Sequence, residues 1–327
     1  MALSEFEIID RYFRSRAPRR RDVIVGIGDD GAVLSVPEGQ HLVVSMDTLV
    51  CDVHFPASAP ARAVGHKALA VNLSDLAAMG AEPAWATLAL TLPEADEAWL
   101  RGFAEGFFAL AESFEVDLVG GDTTRGPLSV TVQVHGFVPP GGAMCRRGAR
   151  PGDGIFVTGT LGDAALALWL LQKRRRGGVR ERAYLLSRLH TPLPRVSVGL
   201  ALREYASAAI DLSDGLIGDL GHVCRSSGVG ASLWVDKLPR SDAFAALADE
   251  EEGYRLALVG GDDYELCLTV PPEHQSALKQ AAGSLDCRLT RIGIVERESA
   301  LRCLHDDGTE LRIRGGAWQH FRRESDG

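Results

Sequence analysis

The sequence predicts an α/β (α+β) protein of two domains, and three observations support this fold class. Apolar, strand-like runs alternate with helix-like segments along the whole chain. The chain has 327 residues, which exceeds the usual size of one domain. A stretch rich in Pro and Gly over residues 139–152 is the strongest break in the pattern. We therefore expect a first domain at residues 1–139 and a second, α/β domain at residues 140–327.

The first domain is predicted to mix helices and strands. Ser4 and Glu7 have the spacing of a capping box and predict a short N-terminal helix. Gly80 stands where a C-cap is expected for a helix over residues 61–79, and a long amphipathic helix is predicted over residues 94–114. Strand-like runs occupy residues 22–27, 32–36, 42–45, 85–92, 116–119 and 128–138, with a hairpin between the second and the third.

The second domain repeats this mixture. Its predicted strands cover residues 155–157, 208–212, 231–235 and 266–270, and its predicted helices cover residues 164–171, the region up to about residue 206, and residues from 216 onward. Each half of the chain has a predicted Gly-Gly-Asp turn, at residues 120–122 and 260–262. This repetition hints at two related folds.

Composition narrows the class of function. Charged residues are 24% and hydrophobic residues 46% of the chain, as in ordinary globular proteins. The net charge of −9 argues against a nucleic-acid partner, and we interpret the basic run at residues 173–176 as a solvated helix end. Six scattered cysteines form neither a zinc motif nor a disulfide framework and suit a reducing compartment. Without a signal-peptide pattern or a long apolar run, we expect a cytoplasmic protein with no membrane partner.

Acidic residues are concentrated in short segments beside Gly, Ser or Thr. The six segments are residues 28–31, 45–48, 72–75, 120–124, 211–215 and 260–263. Most follow an apolar, strand-like run, so their carboxylates can converge at strand ends. Converged carboxylates repel one another unless cations hold them, and Mg²⁺ prefers oxygen ligands that it shares with substrate phosphates. The pattern therefore predicts a Mg²⁺-dependent enzyme that acts on phosphorylated substrates.

Residues 26–31 also match the G-x-G-x-x-G pattern of dinucleotide-binding proteins. We reject that interpretation, because the pattern requires a following helix and residues 32–37 have the character of a strand. No P-loop sequence is present either. If the chain handles ATP, metal ions must therefore supply the charge neutralisation that a P-loop lysine provides.

Each acidic segment has a structural alternative, because Asp in a Gly-rich turn often caps a helix. For Asp214, just before an expected helix, capping and catalysis explain the local sequence equally well. Capping explains Asp75 poorly, because this residue lies inside a helical pattern. Asp29 and Asp30 are adjacent, so we expect only one of them to face a shared site.

Six stretches, taken together and in order, resemble one family. They are residues 26–32, 47–55, 72–81, 120–124, 211–216 and 264–266, and they include Gly-Ile-Gly-Asp-Asp-Gly-Ala and Asp-Leu-Ser-Asp-Gly-Leu. They resemble the thiamine-monophosphate kinase family of the aminoimidazole-ribonucleotide-synthetase-like ATP-binding superfamily. The resemblance covers nearly the whole chain.

The resemblance implies a two-domain PurM-like fold. Its N-terminal mixed sheet with helices pairs with its twin in a homodimer, and its C-terminal α/β domain completes the active-site cleft. The implied activity is ATP-dependent phosphorylation of thiamine monophosphate to thiamine diphosphate with several Mg²⁺ ions. A phosphate acceptor has a second pKa of about 6, so it is mostly dianionic at neutral pH and needs no general base. We therefore expect direct in-line transfer, in which the ions reduce the repulsion between two polyanions.

The resemblance also implies roles for individual residues. The catalytic residues would be Asp30, Asp75, Asp122 and Asp211. The Mg²⁺ ligands would be Asp30, Ser45, Met46, Asp47, Asp75, Asp122, Asp211 and Asp214. ATP would contact Gly121, Asp122, Arg146 and Ser213, and the thiamine phosphate would contact His54, Asp262 and Trp318.

Three positions depart from the family pattern. Cys51-Asp52 stands where Glu-Gly is common. Met46 replaces a hydroxyl residue, so only its backbone carbonyl could be a good Mg²⁺ ligand. Asp262 stands where Glu is usual, which shortens the reach of the carboxylate by one methylene group.

Several alternatives stay open at this stage. His54 could be a structural histidine, Arg146 could lie in a solvated loop, and Trp318 could anchor the C-terminal tail in the core. A selenophosphate synthetase would need a reactive Cys near its N-terminus, and residues 1–25 contain none. A regulator that binds nucleotide without turnover would lack the metal carboxylates, and all six are present.

Overall fold

The computed structural model describes residues 3–15, 20–173 and 178–312 of the chain. The chain divides into two compact units, Met1–Leu76 with Ala81–Ala143 and Ala77–Gly80 with Met144–Gly327. Strands and helices are interspersed in both units, which confirms the predicted α/β class. Within the described ranges, no helix is long and apolar enough to cross a membrane.

In its described residues, the first unit begins with a helix and contains six strands. A capping box formed by Ser4 and Glu7 opens α1 (Glu5–Ile8), as predicted, and a π-helical turn at Ile9–Arg14 continues it. After α1, the elements are β1 (Val23–Val25), β2 (Val33–Leu34), β3 (His41–Val50), α2 (Ala61–Ala78), β4 (Glu82–Leu92), α3 (Glu97–Ser113), β5 (Asp117–Arg125) and β6 (Ser129–Val138).

Four of these strands form a sheet in the order β3-β6-β4-β5. Strand β6 is antiparallel to β3 and β4, whereas β4 and β5 are parallel. Val130, Val132 and Val134 of β6 are fully buried on one face of the sheet. On the opposite face, Val44 is 47% and Met46 is 61% exposed at the β3 edge. The sheet therefore has one buried face and one face that is open along β3.

Helix α2, which is confirmed at its predicted position, packs very closely against α3. A Cβ atom on Gly65 would lie 2.0 Å from the carbonyl oxygen of Phe103, and one on Gly106 would lie 1.9 Å from that of Arg62. Glycine at these two positions lets the helix backbones touch. The contact holds α2, which carries Asp75, in a fixed position within the first unit.

Two local predictions for the first unit are wrong. The expected hairpin does not form, because β2 pairs with β1 and β3 pairs along its whole length with β6. The ten residues of β3 thereby gain a partner strand of equal length. Residues 120–122 do not form a turn either, since β5 continues through them to Arg125.

The second unit consists of six strands and seven α-helices within the described residues. They are β7 (Gly154–Thr158), α4 (Asp163–Gln172), α5 (Val179–His190), α6 (Val196–Leu202), β8 (Ala208–Asp211), α7 (Leu216–Ser227), β9 (Gly230–Trp234), α8 (Asp242–Leu247), α9 (Glu250–Val259), β10 (Leu266–Val270), α10 (Gln275–Ala282), β11 (Leu289–Glu296) and β12 (Leu301–Leu304). The predicted strands at β7, β8, β9 and β10 and the predicted helix at α7 are confirmed.

The six strands form one sheet in the order β12-β9-β11-β7-β10-β8. Only β12 and β9 are parallel among these neighbours. Ile155, Leu233 and Leu220 are completely buried in a core that the strands share with α7. A second cluster, which includes Leu166, Leu185 and Phe244, joins helices α4, α5, α8 and α9.

The strand directions bring three connecting segments together at one end of the strands of this sheet, which we call one edge of the sheet. Strand β10 is antiparallel to both β7 and β8, and Leu266 at its start pairs with Asp211 at the end of β8. Its next residue, Cys267, pairs with Val157 near the end of β7. The segments that follow Thr158 and Asp211 therefore lie beside the segment that precedes Leu266.

Candidate active site

Strand β3 and helix α2 bring three of the predicted ligands together in the first unit. The hydroxyl of Ser45 donates a hydrogen bond of 2.5 Å to Asp75 Oδ2. The N–H of Asp47 donates to Asn72 Oδ1 at 2.9 Å, and Asn72 Nδ2 donates to the carbonyl of Ala68. Ser45 and Asp47 lie on one face of their strand because they are two residues apart, and Asn72 and Asp75 share a helix face at i, i+3. The arrangement joins the hydroxyl of Ser45 to the carboxylate of Asp75 and places Asp47 beside the same helix.

The side chain of Met46 does not join this group. It lies between Ser45 and Asp47 in a strand, so it points to the opposite face of the sheet, where it is 61% exposed. Its backbone carbonyl is the only Mg²⁺ ligand that this residue can offer, as the sequence indicated.

Asp122 lies far from Asp47 within the first unit. In the strand register, Asp122 lies in the same row across the sheet as Ala89, Thr131 and Thr48. Asp47 is one residue before Thr48, so its row is offset from that of Asp122 by one residue. Three strand spacings of about 4.8 Å each separate β5 from β3, which amounts to roughly 14 Å. The one-residue offset also places the two side chains on opposite faces. The structure therefore does not bring Asp122 to Asp47 within one unit.

Gly121 has no room for a side chain unless the neighbouring backbone moves. Its φ is 149°, and a Cβ atom would lie 1.8 Å from the carbonyl oxygen of Leu88 on the neighbouring strand. This close approach explains the glycine directly before Asp122 in strand β5. It also leaves the backbone of residue 121 uncovered by a side chain.

Asp30 and His54 lie in two connecting segments. Asp30 is exposed in the segment between β1 and β2, and its N–H donates to Asp29 Oδ1 at 2.9 Å. His54 is half-buried in a turn after β3, and its Nδ1 accepts the N–H of Val50 at 3.0 Å. Because Nδ1 is an acceptor, a neutral His54 ring carries its proton on Nε2.

The second unit places Asp211, Ser213 and Asp214 at the end of β8. Asp211 is 4% exposed and pairs with Leu266. The N–H of Asp214 donates to Asp219 Oδ2 at 3.0 Å. Helix α7 has Gly215 as its N-cap, and no side chain caps it there. Asp214 is thus not the N-cap of α7, and its role as a metal ligand stays a prediction.

Asp219 is a residue of this site that the sequence pattern did not reveal. It lies in the first turn of α7 and is 3% exposed. Burial raises the pKa of Asp219 to about 7, although the N–H of Asp214 favours the charged form. The same N–H contact fixes the backbone at Asp214.

Asp262 lies next to Ser213. Its N–H donates to the carbonyl of Ser213 at 2.9 Å, and its carboxylate accepts the hydroxyl of Tyr264 at 3.1 Å. A Cβ atom on Gly261 would lie 2.4 Å from the Ser213 carbonyl oxygen, so the two segments touch through their backbones. One edge of the sheet thus gathers predicted ATP, metal and thiamine phosphate contacts.

Arg146 is exposed close to the same helix. It follows Cys145, whose carbonyl accepts the N–H of Ala209 in β8 at 3.0 Å. Its positive charge acts on both Asp219 and His222 of α7. This position is compatible with a contact to ATP phosphates. Trp318 lies outside the described residues.

Two further observations concern the described ranges only. They contain no group of three or more His, Cys, Asp or Glu side chains close enough to hold a metal ion. The second unit has a cavity of about 530 Å³ whose walls include Arg180, Arg240 and Arg288, and none of the predicted site residues lines it.

Comparison with known domain families covers both parts of the chain. Residues 28–138 match the N-terminal domain of AIR synthase related proteins. Residues 150–306 match the C-terminal domain of the same proteins. These matches include every described residue that was predicted to bind metal or substrate except Arg146, which lies between the two matched ranges.

Individual relatives extend over almost the full length. The chain is 50% identical over 322 residues to a thiamine-monophosphate kinase of Salmonella typhimurium, covering 98% of this chain and 99% of the relative. It is similar to the crystal structure of thiamine-monophosphate kinase from Stenotrophomonas maltophilia, with a TM-score of 0.86, 49% identity and coverage of 93% and 97%. A solved complex of AaThiL with AMPPCP and TMP matches with a TM-score of 0.77, 32% identity and coverage of 98% and 99%.

Proposed function

The chain belongs to the thiamine-monophosphate kinase family, and we propose that it transfers a phosphoryl group from ATP to thiamine monophosphate, giving thiamine diphosphate. The observation that carries this proposal is the group formed by Ser45, Asp47 and Asp75 in a chain that is 50% identical to such a kinase. The relative solved with AMPPCP and TMP supports the same pair of substrates, because AMPPCP is an analogue of ATP.

The site residues are suited to Mg²⁺. Ser45, Asp47 and Asp75 offer hard oxygen ligands, which this ion prefers to nitrogen or sulfur. We propose that they bind several Mg²⁺ ions together with the carbonyl of Met46 and four further carboxylates. These four carboxylates belong to Asp30, Asp122, Asp211 and Asp214. When bound there, Mg²⁺ would neutralise phosphate charge and stabilise the charge that develops on the transferred group.

The protein groups position the two substrates for direct in-line transfer. Gly121, Asp122, Arg146 and Ser213 would contact ATP. His54, Asp262 and Trp318 would contact the thiamine phosphate, and His54 can offer only Nε2 because Val50 occupies its Nδ1. No phospho-enzyme is needed, since the acceptor phosphate is already an anionic nucleophile at neutral pH.

We also propose a homodimer that pairs the sheets of the first units. Val44 and Met46 expose apolar surface on the open face of the sheet, and a second copy would bury it. Pairing would also explain the separation of Asp47 and Asp122, because the β5 edge of one copy could lie beside the β3 edge of the other. We further propose residues 1–139 and 140–327 as the two domains, and a cytoplasmic location, which the six free cysteines support.

A chromatographic assay tests the proposed activity. The protein is mixed with ATP, Mg²⁺ and thiamine monophosphate, and thiamine diphosphate is measured. We expect product that disappears with EDTA and with Asp75→Asn, while Asp286→Asn, at an exposed position, keeps full activity. Tight ATP binding without any product would contradict the kinase and favour a nucleotide-binding regulator.

A further inference from the structure

The segment between α9 and β10 holds two residues in an unusual backbone conformation. Asp262 has a φ of 70° and Tyr264 has a φ of 51°. The left-handed region is unfavourable for residues that have a Cβ atom, and it persists only where the surrounding structure imposes it. Asp262 is also the predicted thiamine phosphate contact, so the way in which this conformation is held bears on substrate binding.

Backbone hydrogen bonds attach the segment to the end of β8. The N–H of Asp262 donates to the carbonyl of Ser213, and the N–H of Tyr264 donates to that of Leu212 at 2.8 Å. In return, the N–H of Leu212 donates to the carbonyl of Glu265 at 2.8 Å. These bonds fix one side of the segment.

A buried ion cluster fixes the other side. Glu265 is completely buried, and its carboxylate accepts hydrogen bonds from Arg188 at 2.7 Å and from two nitrogens of Arg195 at 2.6 Å. Thr158 donates its hydroxyl to the same carboxylate at 2.6 Å and accepts the N–H of Leu266 at 2.8 Å. Every oxygen of Glu265 is thus engaged, and Arg195 makes a two-pronged contact that only a guanidinium can form.

Two more carboxylates complete the cluster. Asp263 accepts the N–H of Gly162 at 2.8 Å, and Asp163 lies 3.7 Å from Arg188 Nε. Burial raises the pKa of Asp263 well above its ordinary value, more than the Gly162 bond lowers it. Burial also raises the pKa of Asp163, although the hydroxyls of Ser241 and Thr160 donate hydrogen bonds to its carboxylate.

We propose that Arg195 and Glu265 are positioning residues that hold Asp262 in its left-handed conformation and so set the affinity for the phosphorylated acceptor. The inference rests on the proposed contact between Asp262 and thiamine phosphate. Arg195 would act through Glu265 and the strained segment, without touching either substrate. The hydroxyl of Tyr264, which is buried beside the Asp262 carboxylate, transmits the constraint to that side chain.

The test compares Arg195→Met with Arg195→Lys in the full-length protein. Arg195→Met removes the positive charge and both hydrogen bonds to Glu265. We expect the KM for thiamine monophosphate to rise by about tenfold or more, with a change in the KM for ATP below about threefold. Arg195→Lys keeps the positive charge but cannot form the paired hydrogen bonds of a guanidinium, so it should restore part of the affinity for thiamine monophosphate. Arg302→Met, at an arginine 43% exposed in its side chain, is the matched control and should change neither constant.

Amide hydrogen exchange supplies a readout that does not depend on the substrates. The amides of Asp262 and Tyr264 should exchange faster in Arg195→Met than in the wild type or in Arg302→Met. Unchanged exchange in a folded Arg195→Met variant would show that Arg195 and Glu265 do not hold the segment at Asp262, the contact that we call the clamp. Faster exchange with an unchanged KM for thiamine monophosphate would show that the clamp has no role in substrate binding. Equal increases in both KM values also overturn it, since they indicate general damage.

Two further variants keep the proposal testable. If Arg195→Met does not fold, Arg195→Lys and Thr158→Val are measured by the same exchange and kinetic criteria. Asp262→Asn, which tolerates a positive φ, separates this inference from the proposed function. An unchanged KM for thiamine monophosphate in Asp262→Asn refutes the substrate contact itself, whereas a raised KM there with unchanged exchange in the Arg195 variants refutes only the clamp.

Discussion

The hydroxyl of Ser45 donates a hydrogen bond of 2.5 Å to the carboxylate of Asp75, and this contact joins strand β3 to helix α2. Asp47 is joined to the same helix by its N–H bond to Asn72. The carboxylate of Asp75 and the backbone at Asp47 are therefore held before any ligand binds. Such preorganisation lowers the cost of assembling a cation site, because the oxygens do not have to be ordered again.

Replacing Ser45 by Ala should weaken the response to Mg²⁺. The change removes a proposed ligand and also the hydrogen bond that orients Asp75. We expect the Mg²⁺ concentration for half-maximal activity to rise by about 10–100-fold, as for other changes beside metal ligands. A Mg²⁺ titration of the initial rate measures this. Ser113→Ala, where an exposed hydroxyl bonds only to its own helix, should leave the titration unchanged.

Replacing Asn72 by Ala should destabilise the first unit. Asn72 is completely buried and uses Oδ1 for the Asp47 N–H and Nδ2 for the Ala68 carbonyl. Its loss leaves buried polar groups without partners, which costs about 1–3 kcal/mol. Urea unfolding measures the loss, with Arg62→Ala at an exposed position of α2 as the control. Equal stability of Asn72→Ala and wild type would show that water replaces the amide.

The sequence predicted some elements of the fold much better than others. Helix α2 was predicted almost to the residue, and so was the place of Asp75 inside it. By contrast, residues 45–48 and 120–124 were expected in short segments at the ends of strands, yet both lie inside strands. Local composition misled here, because Gly, Ser and Asp favour turns in isolation whereas pairing with a neighbouring strand decides the outcome.

Other features depend on contacts that a single sequence does not display. Asp219 lies on a regular helix turn, and only the folded structure shows that its carboxylate accepts a hydrogen bond from the N–H of Asp214. The left-handed backbone at Asp262 and Tyr264 is equally hidden, since neither is Gly. Strands β11 and β12 were not predicted at all, because short runs interrupted by Arg carry little periodic signal.

Two adjacent glycines of β5 should respond differently to the same change. A Cβ atom on Gly121 would lie 1.8 Å from the Leu88 carbonyl oxygen, whereas one on Gly120 would meet nothing within 4 Å. Gly121→Ala should therefore lower the free energy of unfolding by about 1–3 kcal/mol through overpacking. Gly120→Ala should stay within about 0.5 kcal/mol of the wild type. Urea unfolding of both variants measures the contrast, and similar losses would contradict the close approach of β5 to β4.

Stability at low pH should depend on Asp236. Hydrogen bonds from the Tyr254 hydroxyl and the Asp306 N–H, together with His305, lower the pKa of Asp236 to about 2 from 3.8. A depressed folded-state pKa contributes stability that is present above about pH 4 and is lost as the pH falls towards 2. Asp236→Asn should accordingly lower the Tm at pH 7, and its difference from wild type should shrink steadily below pH 4. Thermal melts between pH 2 and 7 measure this, with Asp286→Asn as the control; a difference that is constant across this range would show that packing, not the charge, accounts for the contribution of Asp236.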